Sequence, residues 1–357
     1  MVWSDLLRHA PQVEMIRRAV QRGRVAHAYL FLGPDGIGKR LVAQRIAQCL
    51  FCQRVPDQEL DACGECPSCR QVLAGTHPDL LTVACPEGKS ELPIKLIVGP
   101  EDNRGREGLL HDLSLHPMSA SRRIAIIDDA DKMNEESANA LLKTLEEPPP
   151  GAILFLISPS LETLLPTIRS RCQKLQFAPL TDNELAGLVV KLGWDTDAKS
   201  AAAVAALSEG SLATAKQLLD PGLRKLRDQL LARLSQPQWS SAALADELIG
   251  LIDEIASDAP EQRQSASWLL RFAIDCYRAA MEAGLSCDDA TAGPVWQALL
   301  ARAGGDPVET ADLAAAAIDR CVLADLHIQQ MMPVPLCLEG WCDDLARIHR
   351  GTSPLLV

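Results

Sequence analysis

The stretch 33–40, GPDGIGKR, has the spacing of a phosphate-binding loop. That pattern needs a glycine, four further residues, Gly-Lys and then Ser or Thr, and Gly33, Gly38 and Lys39 stand at the required positions. Backbone N–H groups at the start of the following helix can surround an anion. Arg40, however, replaces the hydroxyl that holds Mg²⁺, so we do not expect hydrolysis of a bound triphosphate. The simpler alternative is a glycine turn between a strand and a helix.

An apolar run that ends in two carboxylates has the form of a Walker B segment. In that segment the first acid, here Asp128, would hold Mg²⁺, and the second, here Asp129, would orient water. Asp129 stands where glutamate is usual and is shorter by one methylene, so we do not expect water activation. Because Lys39 and the glycines remain, binding of ATP or ADP stays open. The candidate nucleotide-binding residues are Gly33, Gly36, Gly38, Lys39, Asp128 and Asp129.

Four cysteines form a metal-binding pattern. Cys63, Cys66 and Cys69 make two overlapping Cys-x-x-Cys units, and Cys52 lies upstream of them. Four thiolates with no open position indicate a structural Zn²⁺ site rather than a catalytic one. Cys49 competes with Cys52 for the fourth position, and we favour Cys52. An iron–sulfur cluster or a group of metal-free thiols are the alternatives.

The composition indicates a globular protein with an aliphatic core. The 357 residues are 47% hydrophobic and 4% aromatic, and this length allows two or three domains. No apolar run approaches the ~20 residues that cross a bilayer, and the N-terminus does not resemble a signal peptide, so we expect a cytoplasmic protein with no membrane contact. Residues 1–178 hold 21 Lys and Arg against 22 Asp and Glu, whereas residues 179–357 hold 14 against 25. The acidic second part argues against wrapping nucleic acid.

Short apolar runs alternate with helical patterns over residues 1–178. This alternation predicts an α/β domain with a parallel sheet covered on both faces, carrying the cysteine module at about 49–75. Strand patterns then disappear, so residues 179–219 are predicted as a small helical domain with Asp182 as a helix cap, and residues 220–357 as a helical bundle. The predicted strands are His27 to Leu32, Leu80 to Val83, Ile124 to Ile127, Ile153 to Ile157 and Gln173 to Phe177.

Several motifs taken together resemble the bacterial clamp-loader AAA+ ATPases. The resemblance is dense over residues 20–178 and thin beyond about 220, where only length and helicity agree. It implies an AAA+ domain over 1–178, a helical lid over 179–219 and a collar over 220–357 that joins subunits into a ring. Besides the loop at Gly33 and the four cysteines, the motifs are His27-Ala28-Tyr29-Leu30-Phe31, Gly75-Thr76-His77-Pro78-Asp79, Asp131-Lys132-Met133-Asn134, Asn139 to Pro149 and Ser170-Arg171-Cys172.

Three departures from the pattern separate this chain from the motor subunits of that family, called gamma or tau. Arg40 replaces the Mg²⁺-binding hydroxyl, Asp129 replaces the water-orienting glutamate, and Ala213 stands where motors carry a nucleotide-sensing arginine of the lid. All three changes affect the chain's own hydrolysis. The resemblance therefore implies a related subunit that is not an ATPase by itself but belongs to a DNA-directed DNA polymerase holoenzyme.

Ser170-Arg171-Cys172 is retained, and in the family this segment faces the nucleotide of the neighbouring subunit. By resemblance, Arg171 is an arginine finger acting in trans, although on its own it would be read as a surface salt bridge. The implied partners are gamma or tau and delta subunits in a hetero-oligomeric ring, with the sliding clamp and primer-template DNA reached through the complex. The alternatives are a hydrolysing gamma or tau-type motor and a zinc-ribbon adaptor that binds nucleic acid without nucleotide.

Overall fold

The computed structural model describes residues 3, 8–86, 89, 91–236, 239–286 and 294–350, with the side chains of 283–286 left aside. The chain divides into two compact units, Met1–Ala215 and Lys216–Val357. Within the described ranges, no helix is both long and apolar enough to cross a membrane. The finer division into three domains, at residues 178 and 219, stays a prediction.

The first unit is built on a five-stranded parallel sheet in the spatial order β2-β3-β4-β1-β5. Strands β1 and β4 have continuous apolar sequences and are buried along their whole length, as expected for parallel strands covered on both faces. The predicted parallel α/β sheet is confirmed. The strands are β1 Ala28–Leu32, β2 Leu80–Val83, β3 Arg123–Ile127, β4 Ala152–Ser158 and β5 Gln173–Gln176.

Helices cover both faces of this sheet. Successive side chains of a strand point to opposite faces, so Tyr29 and Phe31 join one apolar cluster while Leu30 and Leu32 join the other. The first cluster contains buried residues of α1, α2 and α3, and the second contains those of α4 to α7. The helices are α1 Ala10–Gln21, α2 Lys39–Phe51, α3 Pro67–Leu73, α4 Ile94–Val98, α5 Leu109–Ser114, α6 Glu135–Glu146, α7 Pro166–Arg169, α8 Asp182–Lys191, α9 Ala198–Leu207 and α10 Leu212–Leu218.

Helix α8 begins one residue earlier than the sequence suggested. Thr181, not Asp182, is the cap: its hydroxyl accepts from the Glu184 N–H at 3.4 Å, and the Glu184 carboxylate accepts from the Thr181 N–H at 2.8 Å. The assignment of Asp182 as the cap was wrong. Thr181 and Glu184 form two reciprocal hydrogen bonds, whereas an aspartate cap would supply only the one that its own side chain accepts.

Asp79 fastens β2 to the segment before β3. Its buried carboxylate accepts backbone N–H bonds from Met118, Ser119 and Ala120 at 2.7–2.9 Å. Burial alone would raise the pKa of this carboxyl, but the N–H donors outweigh it and hold the pKa below its usual value. The last residue of the Gly75–Asp79 motif therefore has a structural role.

The second unit is helical throughout its described residues. Helix α11 shows the reason: Leu223, Leu226, Leu230 and Leu234 recur at intervals of three and four and are all buried. The predicted helical character of this region is thus found. The helices are α11 Pro221–Leu234, α12 Ser241–Ile255, α13 Ala259–Ser286, α14 Pro294–Arg302, α15 Pro307–Gln329 and α16 Val334–His349.

Candidate functional site

The glycine loop lies between β1 and α2, at the carboxyl end of β1, which pairs with β4 on one side and β5 on the other. Gly33 has φ of 144°, and a Cβ there would stand 2.4 Å from the carbonyl oxygen of Phe177. Gly36 has φ of 74°, and a Cβ there would stand 2.3 Å from Ser211 Oγ. Both positions therefore require glycine. Gly38, with φ of 99°, is the N-cap of α2.

Lys39 points back into its own loop. Its side chain is 4% exposed, and Nζ donates to the carbonyl oxygens of Gly33 and of Pro34, the latter at 2.8 Å, and pairs with Asp35 at 3.3 Å. Burial lowers the pKa of the Lys39 ammonium, which Asp35 partly opposes. In an active phosphate loop this lysine reaches the β- and γ-phosphates. Here its three donor positions have partners within the loop.

Arg40 pairs with the first acid of the Walker B-like segment. Its Nη1 lies 3.4 Å from Asp128 Oδ2, although 88 residues separate them in sequence. Burial raises the pKa of the Asp128 carboxyl, as does the charge of Asp129, whereas Arg40 lowers it. The structure thus places a protein cation beside the carboxylate that the sequence pattern assigns to Mg²⁺.

Asp129 is also engaged within the protein. Its backbone has φ of 54°, in the left-handed region that aspartate tolerates better than most residues. Oδ2 accepts the Cys85 N–H at 3.2 Å, and Oδ1 lies 3.2 Å from Lys132 Nζ. Both oxygens of the residue predicted to orient water poorly are therefore held by protein groups.

A buried histidine, His9, contacts the glycine loop through Ile37. His9 Nε2 lies 2.7 Å from the carbonyl oxygen of Ile37, and because that oxygen can only accept, Nε2 carries the proton. Nδ1 is then an acceptor that is buried with no hydrogen-bond partner. No local pattern points to this residue, because it lies 28 positions from its partner in the sequence.

A cavity of about 420 Å³ lies beside the loop in the first unit. Its walls include His9 and residues 36–38 on one side and Leu188 and Lys191 of α8 on the other. The loop is therefore next to a space of ligand size even though its charged groups have partners.

The sulfur atoms of Cys52, Cys63, Cys66 and Cys69 all lie within 4.8 Å of one another. Cys52 directly follows α2, and Cys66 caps α3, so the ends of two helices bring the sulfurs together. Cys49 does not belong to the group. Four cysteines are thus close enough to bind one metal ion.

The geometry of this cluster suits a tetrahedral ion. With metal–sulfur bonds of about 2.3 Å, tetrahedral zinc requires sulfurs about 3.8 Å apart, and Cys63 Sγ and Cys69 Sγ are separated by 4.0 Å. Backbone N–H groups of Val55 and Cys63 both lie 3.4 Å from Cys52 Sγ. Backbone N–H bonds from Glu65 and Cys66 lower the pKa of the Cys63 thiol to about 6, which favours the metal-binding thiolate form.

Arg171 lies just after α7, at the surface of the first unit. Its side chain is 34% exposed, and Nη2 donates to Glu146 Oε1 at 2.6 Å while Nη1 donates to the Thr167 carbonyl at 2.9 Å. Ser170 ends α7, and Cys172 is buried, with the pKa of its thiol raised to about 12 by burial. Sequence reasoning missed Glu146, which stands in the Asn139–Pro149 motif.

Sequence comparisons relate this chain to subunits of DNA polymerase III. A family model described as DNA polymerase III, delta subunit, matches residues 8–181. DNA polymerase III subunit delta prime of Pseudomonas aeruginosa is 38% identical over 234 residues, which cover 63% of this chain and 66% of that protein. The Yersinia pestis subunit delta prime is 30% identical over 289 residues, which cover 80% of this chain and 79% of that protein.

Among solved structures, a gamma subunit-related protein of DNA polymerase III from Thermotoga maritima aligns with 95% of this chain and 99% of its own, at 18% identity and a TM-score of 0.40. The sequence matches identify the family: the chain belongs to the delta prime subunits of DNA polymerase III.

Proposed function

We propose that this chain is the delta prime subunit of a bacterial clamp loader, where it helps to load the sliding clamp onto primed DNA without hydrolysing ATP itself. Its partners would be gamma or tau and delta subunits in a cytoplasmic hetero-oligomeric ring, with the clamp and primer-template DNA reached through that complex. The single observation that carries the proposal is the match to delta prime relatives over most of the chain.

The state of the phosphate loop supports the non-hydrolysing part of this proposal. Lys39 is held by loop carbonyls, Arg40 pairs with Asp128, and Asp129 is held by Lys132 and a backbone N–H. Phosphoryl transfer depends on positioned charges directed at the phosphate and its metal. In this loop those charges are directed at one another.

The alternative is a gamma or tau-type motor, which the retained Lys39 and the adjacent cavity would suit. A motor hydrolyses ATP as a purified chain and loses that activity in Lys39→Ala. We expect no ATP turnover above background from the purified chain. Turnover at a motor's rate, abolished by Lys39→Ala, would establish the alternative.

We further propose that Arg171, with Ser170 and Cys172 shaping its turn, supplies an arginine finger to the ATP site of the adjacent subunit. Its exposed guanidinium rests on the carboxylate of Glu146, a partner that a stronger anion can replace. A guanidinium that meets the developing charge on a phosphoryl group in a dry interface can accelerate transfer by about 10³–10⁵-fold.

Reconstitution with gamma or tau and delta subunits tests both proposals. Arg171→Ala should assemble normally yet lower clamp-stimulated ATP hydrolysis, because one site loses its finger. Arg169→Ala, two residues earlier and at the end of α7, is the matched control and should retain activity. Equal activity in the two variants would reject the finger, and absence of any complex with the native chain would reject the clamp-loader assignment.

The four cysteines are proposed to hold a structural Zn²⁺ ion. Cys52, Cys63, Cys66 and Cys69 supply four thiolates and no open position, so the ion would serve folding rather than chemistry. The wider division into an AAA+ domain over 1–178, a lid over 179–219 and a collar over 220–357 is part of the same proposal.

A further inference from the structure

The end of α16 lies in a buried cluster of polar side chains within the second unit. His349, the last residue of α16, is 5% exposed, and its imidazole lies between Tyr277 of α13 and Arg302 of α14. Nε2 of the ring lies 2.7 Å from the Tyr277 hydroxyl oxygen, and Nη1 of Arg302 donates to Nδ1. Three helices are therefore joined at one imidazole ring.

The two partners of His349 determine its protonation state. A guanidinium can only donate hydrogen bonds and keeps its charge in proteins, so Nδ1 accepts from Arg302 and carries no proton. Nε2 then carries the single proton of a neutral imidazole and donates it to the Tyr277 oxygen. This arrangement therefore requires His349 to be neutral.

The titratable groups beside the ring supply no negative charge to offset a second proton. Burial raises the pKa of the Tyr277 hydroxyl well above its usual value, so this group stays neutral. Burial also raises the pKa of each of three thiols near Tyr277 to about 12. These thiols belong to α13, α15 and α16 and are Cys276, Cys321 and Cys342. Within the part of the chain that the structure describes, no carboxylate of α12, α13, α15 or α16 is bonded to His349.

A second proton on His349 is incompatible with the contact to Arg302. Nδ1–H would face the guanidinium, and two cations in direct contact repel each other more strongly than the carbonyl end of α16 attracts either of them. Arg302 would therefore leave the ring. Because its Nη2 also donates to the carbonyl oxygen of Gln236 at 2.8 Å, the same departure would release the segment that precedes α12.

We propose that the two hydrogen bonds of His349, which we call the latch, form a proton-sensitive device in the second unit. With neutral His349 the latch holds α14 and the segment before α12 against the end of α16, and protonation releases both. An imidazole in water takes up a proton below about pH 6.5. Each pH unit below that value thus favours the released form by up to about tenfold.

Amide hydrogen exchange of the full chain at pH 7.5 and 5.5 tests the latch, with rates corrected for the pH dependence of exchange in an unstructured peptide. Protection of α14 and of the last turn of α16 should fall by up to about tenfold at pH 5.5, because only the released form gains the proton. Unchanged protection of both segments would overturn the inference.

The variant His349→Gln separates the proton uptake of the ring from its hydrogen bonds. A glutamine amide can accept from Arg302 and donate to Tyr277, but it does not titrate in this range. Protection of α14 in this variant should therefore be the same at both pH values. His327→Gln, on α15 of the same unit, is the matched control and should keep the native pH dependence. A loss of protection in His349→Gln equal to that of the native chain would overturn the inference.

Nitrogen NMR of the native chain gives a second test that does not depend on the folding of a variant. The His349 ring should carry a proton on Nε2 alone at pH 7.5 and should gain the second proton in step with the loss of protection in α14. Release of α14 while His349 stays neutral would contradict the latch. Uptake of the second proton with full protection of α14 would contradict it too.

Discussion

Helix α2 has a cluster of potential ligand groups at each end, and the two clusters differ in what their groups face. At the N-terminal end, Lys39 and Arg40 are directed at carbonyl and carboxylate oxygens of the protein. At the C-terminal end, Cys52 converges with three other sulfurs on a common point. Charged groups in the first cluster have partners within the protein, whereas the four sulfurs of the second are close enough to bind one metal ion.

This difference lies in the direction of the ligand groups: those of the first cluster contact other groups of the protein, and those of the second lie beside one another. The sequence motifs alone do not reveal this difference, because both clusters keep most of the residues that their motifs require. The direction of the ligand atoms distinguishes the two clusters. The ammonium of Lys39 donates to groups of its own loop, whereas the four cysteine sulfurs lie within 4.8 Å of one another.

The largest expected effect comes from breaking the cysteine cluster. Cys66→Ser should abolish metal binding and lower the free energy of unfolding of the first unit by several kcal/mol, since structural zinc contributes ~10–16 kcal/mol in small zinc-binding peptides. Metal analysis should find one zinc per native chain. Cys85→Ser, outside the cluster, is the control and should keep the metal; loss in both variants or in neither would contradict the assignment.

A smaller effect is expected from Lys39→Met, which removes the ammonium but keeps much of the volume. The Gly33 and Pro34 carbonyls would lose a buried donor, so the free energy of unfolding should fall by about 1–3 kcal/mol. ATP hydrolysis by a reconstituted complex should not change, because we propose that this chain does not hydrolyse ATP itself. A variant of native stability that inactivates the complex would show that the loop is in use.

The pH dependence of stability tests the contribution of the buried His9, which lies beside the glycine loop. Burial lowers the pKa of His9 below its usual 6.5, opposed in part by the Ile37 carbonyl and by Glu184, while Arg8 adds to the lowering. The folded protein therefore binds this proton less readily than the unfolded chain does. The contribution of neutral His9 to the free energy of unfolding is fully present above pH 6.5. It is lost as the pH falls toward the lowered pKa of His9 in the folded protein.

Urea unfolding at pH 7.5 and 5.5 should thus show a loss of up to about 1.4 kcal/mol for each pH unit below 6.5 from this residue. In His9→Gln the loss should be smaller. His77, whose pKa is also lowered by burial, contributes to the pH dependence in both proteins. An identical pH dependence in His9→Gln would exclude His9 as a contributor.

The smallest effect is expected from Arg40→Thr, which restores a hydroxyl at the metal-ligand position. Arg40 is 49% exposed in its pair with Asp128, so stability should change by less than about 1 kcal/mol. Binding of Mg²⁺ and ATP should not appear, since Lys39 and Asp129 keep their partners. Calorimetric titration that detects tight binding in this variant alone would show that Arg40 is what closes the site.

Strands β1, β3 and β4 were predictable because they are buried along their whole length and therefore read as apolar runs, and the edge strand β2 was also found. The run Leu80 to Val83 was predicted with the bounds that β2 has in the structure. The choice of Cys52 over Cys49 followed from its place at the end of a helix, where the side chain can turn toward the later cysteines.

The contacts that close the phosphate loop could not be predicted from local pattern. Arg40 meets Asp128 because β1 and β3 both pair with β4, and His9 meets Ile37 because the start of α1 packs against the glycine loop. The spacing of the glycines indicates where a phosphate would lie, but it carries no information on which groups of the protein Lys39 contacts. Spacing predicted the positions of these groups, and long-range packing determined their partners.

The pair between Arg171 and Glu146 has a consequence for any encounter with another subunit. The guanidinium already has an anion, so the proposed finger would work by exchange: it leaves the carboxylate only where a more strongly charged oxygen competes for it. A triphosphate meets that condition better than a lone carboxylate does. Glu146 would then hold Arg171 away from weakly charged partners. In Glu146→Gln the guanidinium would leave this contact more easily.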